Sequence, residues 1–146
     1  MPYCSKLLRY FSDGNIYFIT CVTYKRNKIL IKYYNFLHEL LMIFSNEMNI
    51  KIIAWVILPD HIHMIINPKQ NNISKFIQKL KLSFSRKYSI CTNTNGLVWQ
   101  KRFWDHMIRN QEDMNKHINY IHNNPVKHDY CIKPEEWKYS SFSKYF

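Results

Sequence analysis

The stretch KIIAWVILPDHIHMII, residues 51–66, decides the fold. Two nearly continuous apolar runs are separated by a Pro-Asp pair, which is typical of a tight connection, so the stretch predicts a β-hairpin. Successive side chains of a strand point to opposite faces, so His61 and His63 stand side by side on one face while the apolar residues between and after them line the other. A buried polar pair is costly unless something binds it, and a divalent metal ion is a good candidate. Two imidazoles favour Mn²⁺ or Zn²⁺, and Mg²⁺ is accepted if oxygen ligands complete the shell; the sequence does not choose among them.

The segments around this hairpin predict alternating strands and helices. Residues 16–24 are rich in β-branched and aromatic side chains and predict a strand. Residues 35–48 carry apolar side chains at helical spacing and predict a helix. Residues 73–86 predict a second helix, whose other face is cationic. After a polar loop, residues 97–108 predict a further strand.

A last helix completes the predicted fold. It covers residues 111–123 and ends because Pro125 stops it. The order β-α-β-β-α-β followed by one more helix is that of a ferredoxin-like split βαβ fold. We therefore predict an α+β fold, an antiparallel sheet with central first and third strands and helices on one face, plus a C-terminal helix. We expect one domain over residues 1–146, with an N-terminal arm at 1–13 and a tail at 126–146.

The charge balance favours a polyanionic partner. The chain has 146 residues, 21 Lys+Arg against 10 Asp+Glu, a formal net charge of +11 at pH 7 and a pI near 9.5. Its composition, 47% hydrophobic and 16% aromatic, excludes a disordered basic tail. Not one carboxylate lies between Asp60 and Asp105, although eight cations fall there. This pattern favours nucleic acid over the alternative, a merely solvated lysine-rich surface.

Cysteine usage and hydropathy argue against other classes of protein. The four cysteines (Cys4, Cys21, Cys91 and Cys131) are scattered and form no C-x-x-C pair. We therefore predict free thiols rather than a zinc ribbon or a disulfide framework. No apolar run reaches the roughly 18 residues that a membrane span needs, and the N-terminus lacks the apolar stretch of a secretory signal. We expect a cytoplasmic, nucleoid-associated protein with no membrane partner.

A second group of candidate site residues lies at the end of the last predicted helix. Tyr120 and Asn124 are four residues apart, so they stack one turn apart on a common face. This spacing lets a phenol and an amide oxygen approach one site together. The structural alternative is a half-buried tyrosine with an asparagine that ends the helix. For His61 and His63 the corresponding alternative is hydrogen bonding to the backbone near the hairpin.

Three sequence blocks together resemble the single-tyrosine HUH transposases, the IS200-like or Y1 family. The blocks are WVILPDHIHMII at 55–66, VWQKRFWD at 98–105 followed by Ile108 and Arg109, and YIHNNPVK at 120–127. Within the family, the NPVK run and the segment EWKYSS at 136–141 resemble the REP-associated tyrosine transposases most closely. The His-x-His pair alone is a weak signal. The three blocks in this order and at these separations are specific, and the match covers nearly the whole chain.

The resemblance implies a DNA strand-nicking and rejoining enzyme on a ferredoxin-like fold. It implies that Tyr120, on the C-terminal helix, is the nucleophile and that His61 and His63 bind the metal, expected to be Mg²⁺ or Mn²⁺. Asn124 stands where the family places a polar third ligand; some relatives carry the longer Gln there. The implied substrate is single-stranded, hairpin-forming DNA, cleaved through a 5′-phosphotyrosine intermediate. Relatives act either as homodimers that share the tyrosine helix or as monomers.

Basic and aromatic residues are candidates for DNA contacts, and two other functions stay open. The candidates for backbone contacts are Lys75, Lys79, Arg86, Lys101, Arg102 and Arg109. Trp99 and Trp104 are candidate stacking platforms for unpaired bases, although an aromatic residue in a strand more often belongs to the core. The first alternative function is a non-catalytic ferredoxin-like module that binds single-stranded nucleic acid. The second is a metal-dependent phosphodiesterase that uses water.

Overall fold

The computed structural model describes residues 15–145 of the chain. Its main elements are β1 (Tyr17–Val22), α1 (Tyr34–Glu47), β2 (Lys51–Ile57), β3 (His61–Asn67), α2 (Ile73–Thr92), β4 (Trp104–Met107) and α3 (Gln111–Lys127). The strands form one antiparallel sheet in the order β2-β3-β1-β4, so the first and third strands are central. The predicted α+β fold is confirmed. The predicted N-terminal arm, 1–13, lies outside the described residues.

Strand β3 is buried on both faces of the sheet. Helices α1 and α2 cover one face, where Ile62 and Met64 of β3 pack with Phe84 of α2 in a fully apolar layer. Helix α3 covers the other face, where Ile118 packs in a second apolar cluster with Ile65 of β3. The two clusters lie on opposite sides of one strand because alternate residues of β3 point in opposite directions.

Helix α3 is longer than the sequence predicts. Its first turn is capped by Asn110, whose side-chain oxygen accepts the backbone N–H of Asp113 at 2.8 Å. The prediction that Pro125 stops the helix is wrong, because the helix runs on to Lys127. Proline lacks an N–H and so removes one helical hydrogen bond. The next turn is still closed, since the N–H of His128 donates to the carbonyl of Asn124 at 3.1 Å.

The fourth strand is shorter than predicted. Only Trp104–Met107 forms a regular strand, although residues 97–108 were expected to. Trp99 forms an isolated bridge with Thr23, the residue that follows β1. Between Trp99 and Trp104, Lys81 of α2 donates hydrogen bonds to the main-chain carbonyls of residues 100 and 102, at 3.0 and 3.2 Å. Those carbonyls are therefore not used in strand pairing.

The C-terminal tail covers the outer edge of β2. The backbone N–H of Ser141 donates to the carbonyl of Trp55 at 2.9 Å, and Ser140 forms a bridge with Val56. The indole N–H of Trp137 donates to the carbonyl of Ile57 at 3.1 Å. The tail therefore occupies hydrogen-bonding groups that an open edge strand would expose. In the described part of the chain, no helix combines the length and apolar character that a membrane span requires.

Candidate active site

His61 stands at the start of β3 and is held by the residue before it. Its Nδ1–H donates to Asp60 Oδ1 at 2.7 Å, and Asp60 Oδ2 accepts from Arg26 at 3.2 Å. Burial would raise the pKa of Asp60, but the hydrogen bonds and charges of His61 and Arg26 outweigh burial and hold this pKa below its usual range. Asp60 is therefore a carboxylate that fixes the orientation of the His61 ring. This leaves Nε2 of His61 as the nitrogen available to an ion.

His63 is held from the neighbouring strand. Thr20 of β1 pairs with it, and Thr20 Oγ1 lies 2.7 Å from His63 Nδ1. Burial, followed by the positive charges of His61, His128, Lys127 and Arg26, lowers the pKa of His63 to about 3. His63 is therefore neutral at physiological pH. A neutral imidazole is the form that binds a metal ion, and Nε2 is again the nitrogen left for it.

Asn124 brings a third donor from α3 to the histidines. It is completely buried, and its Oδ1 lies 3.2 Å from His61 Nε2. A His61 ring whose proton lies on Nδ1 turns the lone pair of Nε2 toward the lone pairs of Asn124 Oδ1. Adjacent ligands of an octahedral ion with bonds of 2.0–2.1 Å are about 3 Å apart, so the spacing suits a shared ion.

The amide nitrogen of Asn124 gives an independent test of this fit. Asn124 Nδ2 is buried and has no hydrogen-bond partner within residues 15–145. A buried amide that was held only by hydrogen bonding would normally satisfy its nitrogen as well as its oxygen. The oxygen, not the nitrogen, faces His61, which is the orientation that an ion requires. The two imidazoles and this amide oxygen therefore fit a divalent ion.

Tyr120 lies one helical turn before Asn124 and beside the imidazoles. Its ring centroid is 5.3 Å from that of His63 in an edge-to-face contact, and 5.9 Å from that of Phe18. Lys127 Nζ lies 5.0 Å from the centre of the phenol ring. Tyr120 is 37% exposed, so the phenol is not locked in the core. One chain thus brings together the phenol, the two imidazoles and the amide.

A cavity of about 730 Å³ opens beside Tyr120. His63 reaches one wall, and the cations Arg109, Lys116 and Lys127 line others. Three cations around one opening favour an anionic ligand such as a phosphate group. The cavity therefore gives a polyanion access to the phenol and to one of the imidazoles.

The residues predicted to contact DNA do not form one surface. Arg109 lines the cavity beside Tyr120, whereas Lys101 and Arg102 are exposed in the loop before β4. Lys75, Lys79 and Arg86 are exposed on α2, which packs on the opposite face of the sheet from Tyr120. Lys79 is also engaged by Glu47 of α1 at 2.8 Å. Only Arg109, among these six cations, lies close to the phenol.

The two tryptophans proposed as stacking platforms have different surroundings. Trp99 is 5% exposed and packs edge-to-face against Phe84, so the expectation that it stacks on bases does not fit the structure. Removing a large aromatic ring from water lowers the free energy, which favours a buried position for Trp99. Trp104 is 63% exposed and pairs with Thr20 of β1. Because paired residues share a face, Trp104 lies on the same side of the sheet as His63.

Sequence reasoning missed the groups that orient the two histidines. Asp60 directly precedes His61, and this adjacency was the signal that could have identified it. Thr20 is 43 residues away from His63 along the chain, and only the pairing of β1 with β3 brings them together. Arg26 acts on Asp60 from the turn after β1. Such partners fix ring orientation and tautomer in metal sites.

Comparison with known proteins assigns the chain to a family. The family model described as IS200-like transposase matches residues 10–124. The chain belongs to this family. A REP-associated tyrosine transposase of Escherichia coli K12 is 32% identical over 145 residues, which is 96% of this chain and 84% of that protein. A Haemophilus influenzae protein whose name assigns it to the same group is 35% identical over 152 aligned residues, covering 96% of this chain and 86% of that protein.

Two solved structures share the fold of this transposase-family chain. One is a REP-associated tyrosine transposase bound to a REP hairpin, with a TM-score of 0.76 and 27% identity over 99% of this chain and 81% of that one. The other is described as a transposase from Deinococcus radiodurans. It has a TM-score of 0.55 and 18% identity over 74% of this chain and 88% of that one, and it shows the fold alone.

Membership of the family confirms the resemblance inferred from the three sequence blocks. Transposition, DNA binding and a DNA-cleaving activity follow from it. Transposases of this family depend in general on a metal ion, which agrees with the fit of His61, His63 and Asn124 to a divalent ion.

Proposed function

We propose that the chain nicks and rejoins single-stranded DNA by transesterification, with Tyr120 as the nucleophile and a 5′-phosphotyrosine as the intermediate. The observation that carries this proposal is the position of the Tyr120 ring, 5.3 Å from the His63 ring within one chain. Its neighbours His61 and Asn124 converge at 3.2 Å on the same side of the sheet. A nucleophile and a site for a charge-neutralising ion are thus side by side, as phosphoryl transfer requires.

In the proposed reaction the phenolic oxygen of Tyr120 attacks the scissile phosphorus. The bond between phosphorus and the 3′ oxygen breaks, and the phenol's proton passes through solvent to that oxygen, which leaves a free 3′-hydroxyl. His61, His63 and Asn124 would hold a divalent ion, Mg²⁺ or Mn²⁺, which neutralises charge on the phosphate when bound. Lys127, 5.0 Å from the ring centre, stabilises the phenolate as it forms.

Rejoining reverses the same step with a second strand. The 3′-hydroxyl of that strand attacks the phosphotyrosine, a new phosphodiester forms, and Tyr120 regains its proton. One phosphate ester replaces another at each step, so no ATP is needed. Tyr120 is partly exposed and the neighbouring cavity is open, which gives both strands access to the phosphorus.

The proposed substrate is single-stranded DNA that forms a hairpin. A structural relative was solved bound to a REP hairpin, and the cations lining this chain's cavity suit a DNA backbone. Trp104 is exposed on the same side of the sheet and offers a ring for stacking of an unpaired base. All four proposed catalytic side chains come from one chain, so the site does not require a homodimer.

A covalent-capture assay tests the proposal directly. Labelled single-stranded hairpin DNA is incubated with the full chain and Mg²⁺ or Mn²⁺, and protein–DNA adducts are separated under denaturing conditions. We expect an adduct with the wild type and none with Tyr120→Phe, because phenylalanine has no nucleophilic oxygen. Tyr130→Phe is the matched control, since Tyr130 is a similarly exposed tyrosine outside the site. His63→Ala should reduce the adduct severely.

Two other outcomes would favour the alternative functions. DNA binding without any adduct, with either metal, supports a non-catalytic module for single-stranded nucleic acid. Cleavage that survives Tyr120→Phe supports a phosphodiesterase that uses water. Either result would refute the phosphotyrosine mechanism.

A further inference from the structure

A second cluster of metal-type donors lies outside the proposed active site. It consists of His106 on β4 and of Asp113 and His117, one turn apart on α3. One donor atom from each residue lies within 4.8 Å of the other two. All three side chains are partly exposed, so an ion can reach them from solvent. Among the residues that the structure describes, no other group of three His, Cys, Asp or Glu side chains meets this spacing.

The three side chains are already oriented toward one another. Asp113 Oδ2 accepts from His106 Nε2 at 2.8 Å and from the backbone N–H of Arg109 at 3.0 Å. His117 Nδ1 lies 3.2 Å from Asp113 Oδ1, and the two imidazole rings stack at 4.6 Å. The side-chain oxygen of Asn110 accepts the backbone N–H of Asp113 at 2.8 Å, and this cap fixes the backbone at Asp113. The cluster therefore needs only small movements to close on an ion.

We propose that His106, Asp113 and His117 form a second divalent-ion site, which takes a zinc-type ion. Two imidazoles and one carboxylate with an open position are a donor set that suits Zn²⁺. Mg²⁺ prefers oxygen ligands and near-ideal octahedral geometry, so this set selects against it. The site differs from the His61, His63 and Asn124 set both in its residues and in its donor chemistry.

The surroundings of the cluster determine what fills the open position. Arg109 Nε lies 4.0 Å from Asp113 Oδ2, and Lys116 lines the cavity that His106, Asp113 and His117 share with Tyr120. These cations weaken the attraction for a bare dication, but they favour an anion as its fourth ligand. If the chain binds DNA in the cavity as proposed above, a phosphate group would be such an anion.

Ion binding at this cluster costs an existing hydrogen bond. His117 Nδ1 donates to the main-chain carbonyl of Asp113 at 2.8 Å, so this nitrogen gives up that hydrogen bond, and the ring proton moves to Nε2, before it can act as a ligand. In return, the ion connects β4 to the first two turns of α3, which is the helix that carries Tyr120.

Counting zinc equivalents tests the proposal. The full chain is titrated with Zn²⁺ against a chromophoric chelator, and Co²⁺ absorption reports nitrogen ligation. We expect two equivalents for the wild type, one for His117→Ala and one for His63→Ala, because each variant loses a different site. Glu112→Gln is the matched control and should keep both, since Glu112 is an exposed carboxylate next to Asp113 in sequence that lies outside the cluster. Equal stoichiometry for His117→Ala and the wild type would overturn the proposal, as would no binding by His63→Ala.

A stability measurement keeps the proposal testable if a variant folds poorly. Zn²⁺ should raise the melting temperature of His63→Ala but not that of His63→Ala/His117→Ala. His106→Gln replaces the most exposed of the three ligands and should lose the same equivalent as His117→Ala, with circular dichroism as the check on folding. An unchanged zinc response in the double variant refutes the site. None of these measurements uses DNA, so they do not depend on the phosphotyrosine mechanism.

Discussion

Both faces of β3 are buried, but the residues on the two faces have different roles. On the face covered by α1 and α2, Met64 and Phe84 belong to a layer that contains only apolar side chains and aromatic rings. On the face covered by α3, strand β3, which also carries Met64, presents His61 and His63, at 4% and 6% exposure, next to a smaller apolar cluster. The face covered by α1 and α2, here called the dry face, supplies stability. This allows the other face to hold buried polar groups that can bind an ion.

The strongest test of this difference removes a large side chain from the dry face. Phe84 is fully buried and contacts the rings of Tyr33, Tyr88 and Trp99. We expect Phe84→Ala to lower the free energy of unfolding by about 3–5 kcal/mol, because it leaves a cavity in a packed core. Urea denaturation measures the change. Metal affinity of the folded fraction should stay the same.

An exposed leucine on the same helix provides the control for that experiment. Leu82 is 49% exposed, so Leu82→Ala should change the free energy of unfolding much less than Phe84→Ala does. Equal losses from the two variants would show that the dry face is not the main source of stability. A large loss of metal affinity in folded Phe84→Ala would show that the two faces are coupled.

The second test acts on the polar face through Asp60. Asp60→Asn removes the charge that accepts from His61 Nδ1 and from Arg26. We expect a 10–100-fold loss of Mn²⁺ affinity, as is usual when the partner of a metal-binding histidine is changed. Isothermal titration calorimetry measures it. Asp105→Asn, an exposed carboxylate on β4, should leave the affinity unchanged; if both variants bind Mn²⁺ like the wild type, Asp60 does not position the ligand.

The third test concerns a histidine that is not near the polar site. His38 on α1 packs against Trp55 at 4.9 Å, and burial followed by the charge of Lys144 lowers its pKa. Between this lowered pKa and the ordinary value of about 6.5, the unfolded chain binds a proton that the folded chain does not. His38 therefore costs stability as the pH falls through this window and has no such effect above it.

Substitution separates the contribution of His38 from those of the other histidines. His38→Gln should lose less stability than the wild type between pH 7.5 and pH 5.5, as judged by the urea midpoint. Its matched control is an exposed residue of the same helix, Glu39→Gln. If wild type and His38→Gln change in parallel with pH, the titration of His38 does not contribute.

The contrast between the faces was predictable in part from sequence. Alternation in β3 placed His61 and His63 on one side, and helical spacing placed Tyr120 and Asn124 together. These patterns depend on local geometry, which a single sequence carries. The pairing of Thr20 with His63 was not predictable, because the register between β1 and β3 is set by long-range packing.

The remaining differences have the same physical origin. The basic residues of α2 stay predicted DNA contacts, chosen from their charge alone; charge does not say that α2 covers the face of the sheet opposite Tyr120. Trp99 was a candidate stacking platform, but it is buried, as an aromatic residue in a strand more often is. Its segment was predicted to be a regular strand, whereas Lys81 donates to the carbonyls that would have extended the ladder. Pro125 was expected to end α3, but one missing N–H near the end of a buried helix is tolerated.

The smallest expected effect is a change in the salt dependence of DNA binding, which tells which face of the sheet contacts DNA. Arg109 lines the cavity beside Tyr120, whereas Lys79 lies on the opposite side and already pairs with Glu47. We expect Arg109→Ala to lower the salt dependence of hairpin-DNA binding by about one phosphate contact, and Lys79→Ala to leave it unchanged. Fluorescence anisotropy at a series of salt concentrations gives both slopes.

This pair of variants also tests the role of the two faces as a whole. Both substitutions remove one exposed positive charge, so a general effect of net charge would weaken binding equally. A change limited to Arg109→Ala places the DNA on the face that carries His63 and Tyr120. A change limited to Lys79→Ala would place the measured phosphate contact on α2, on the face of the sheet opposite Tyr120, and would contradict the expectation that the cavity binds the DNA backbone.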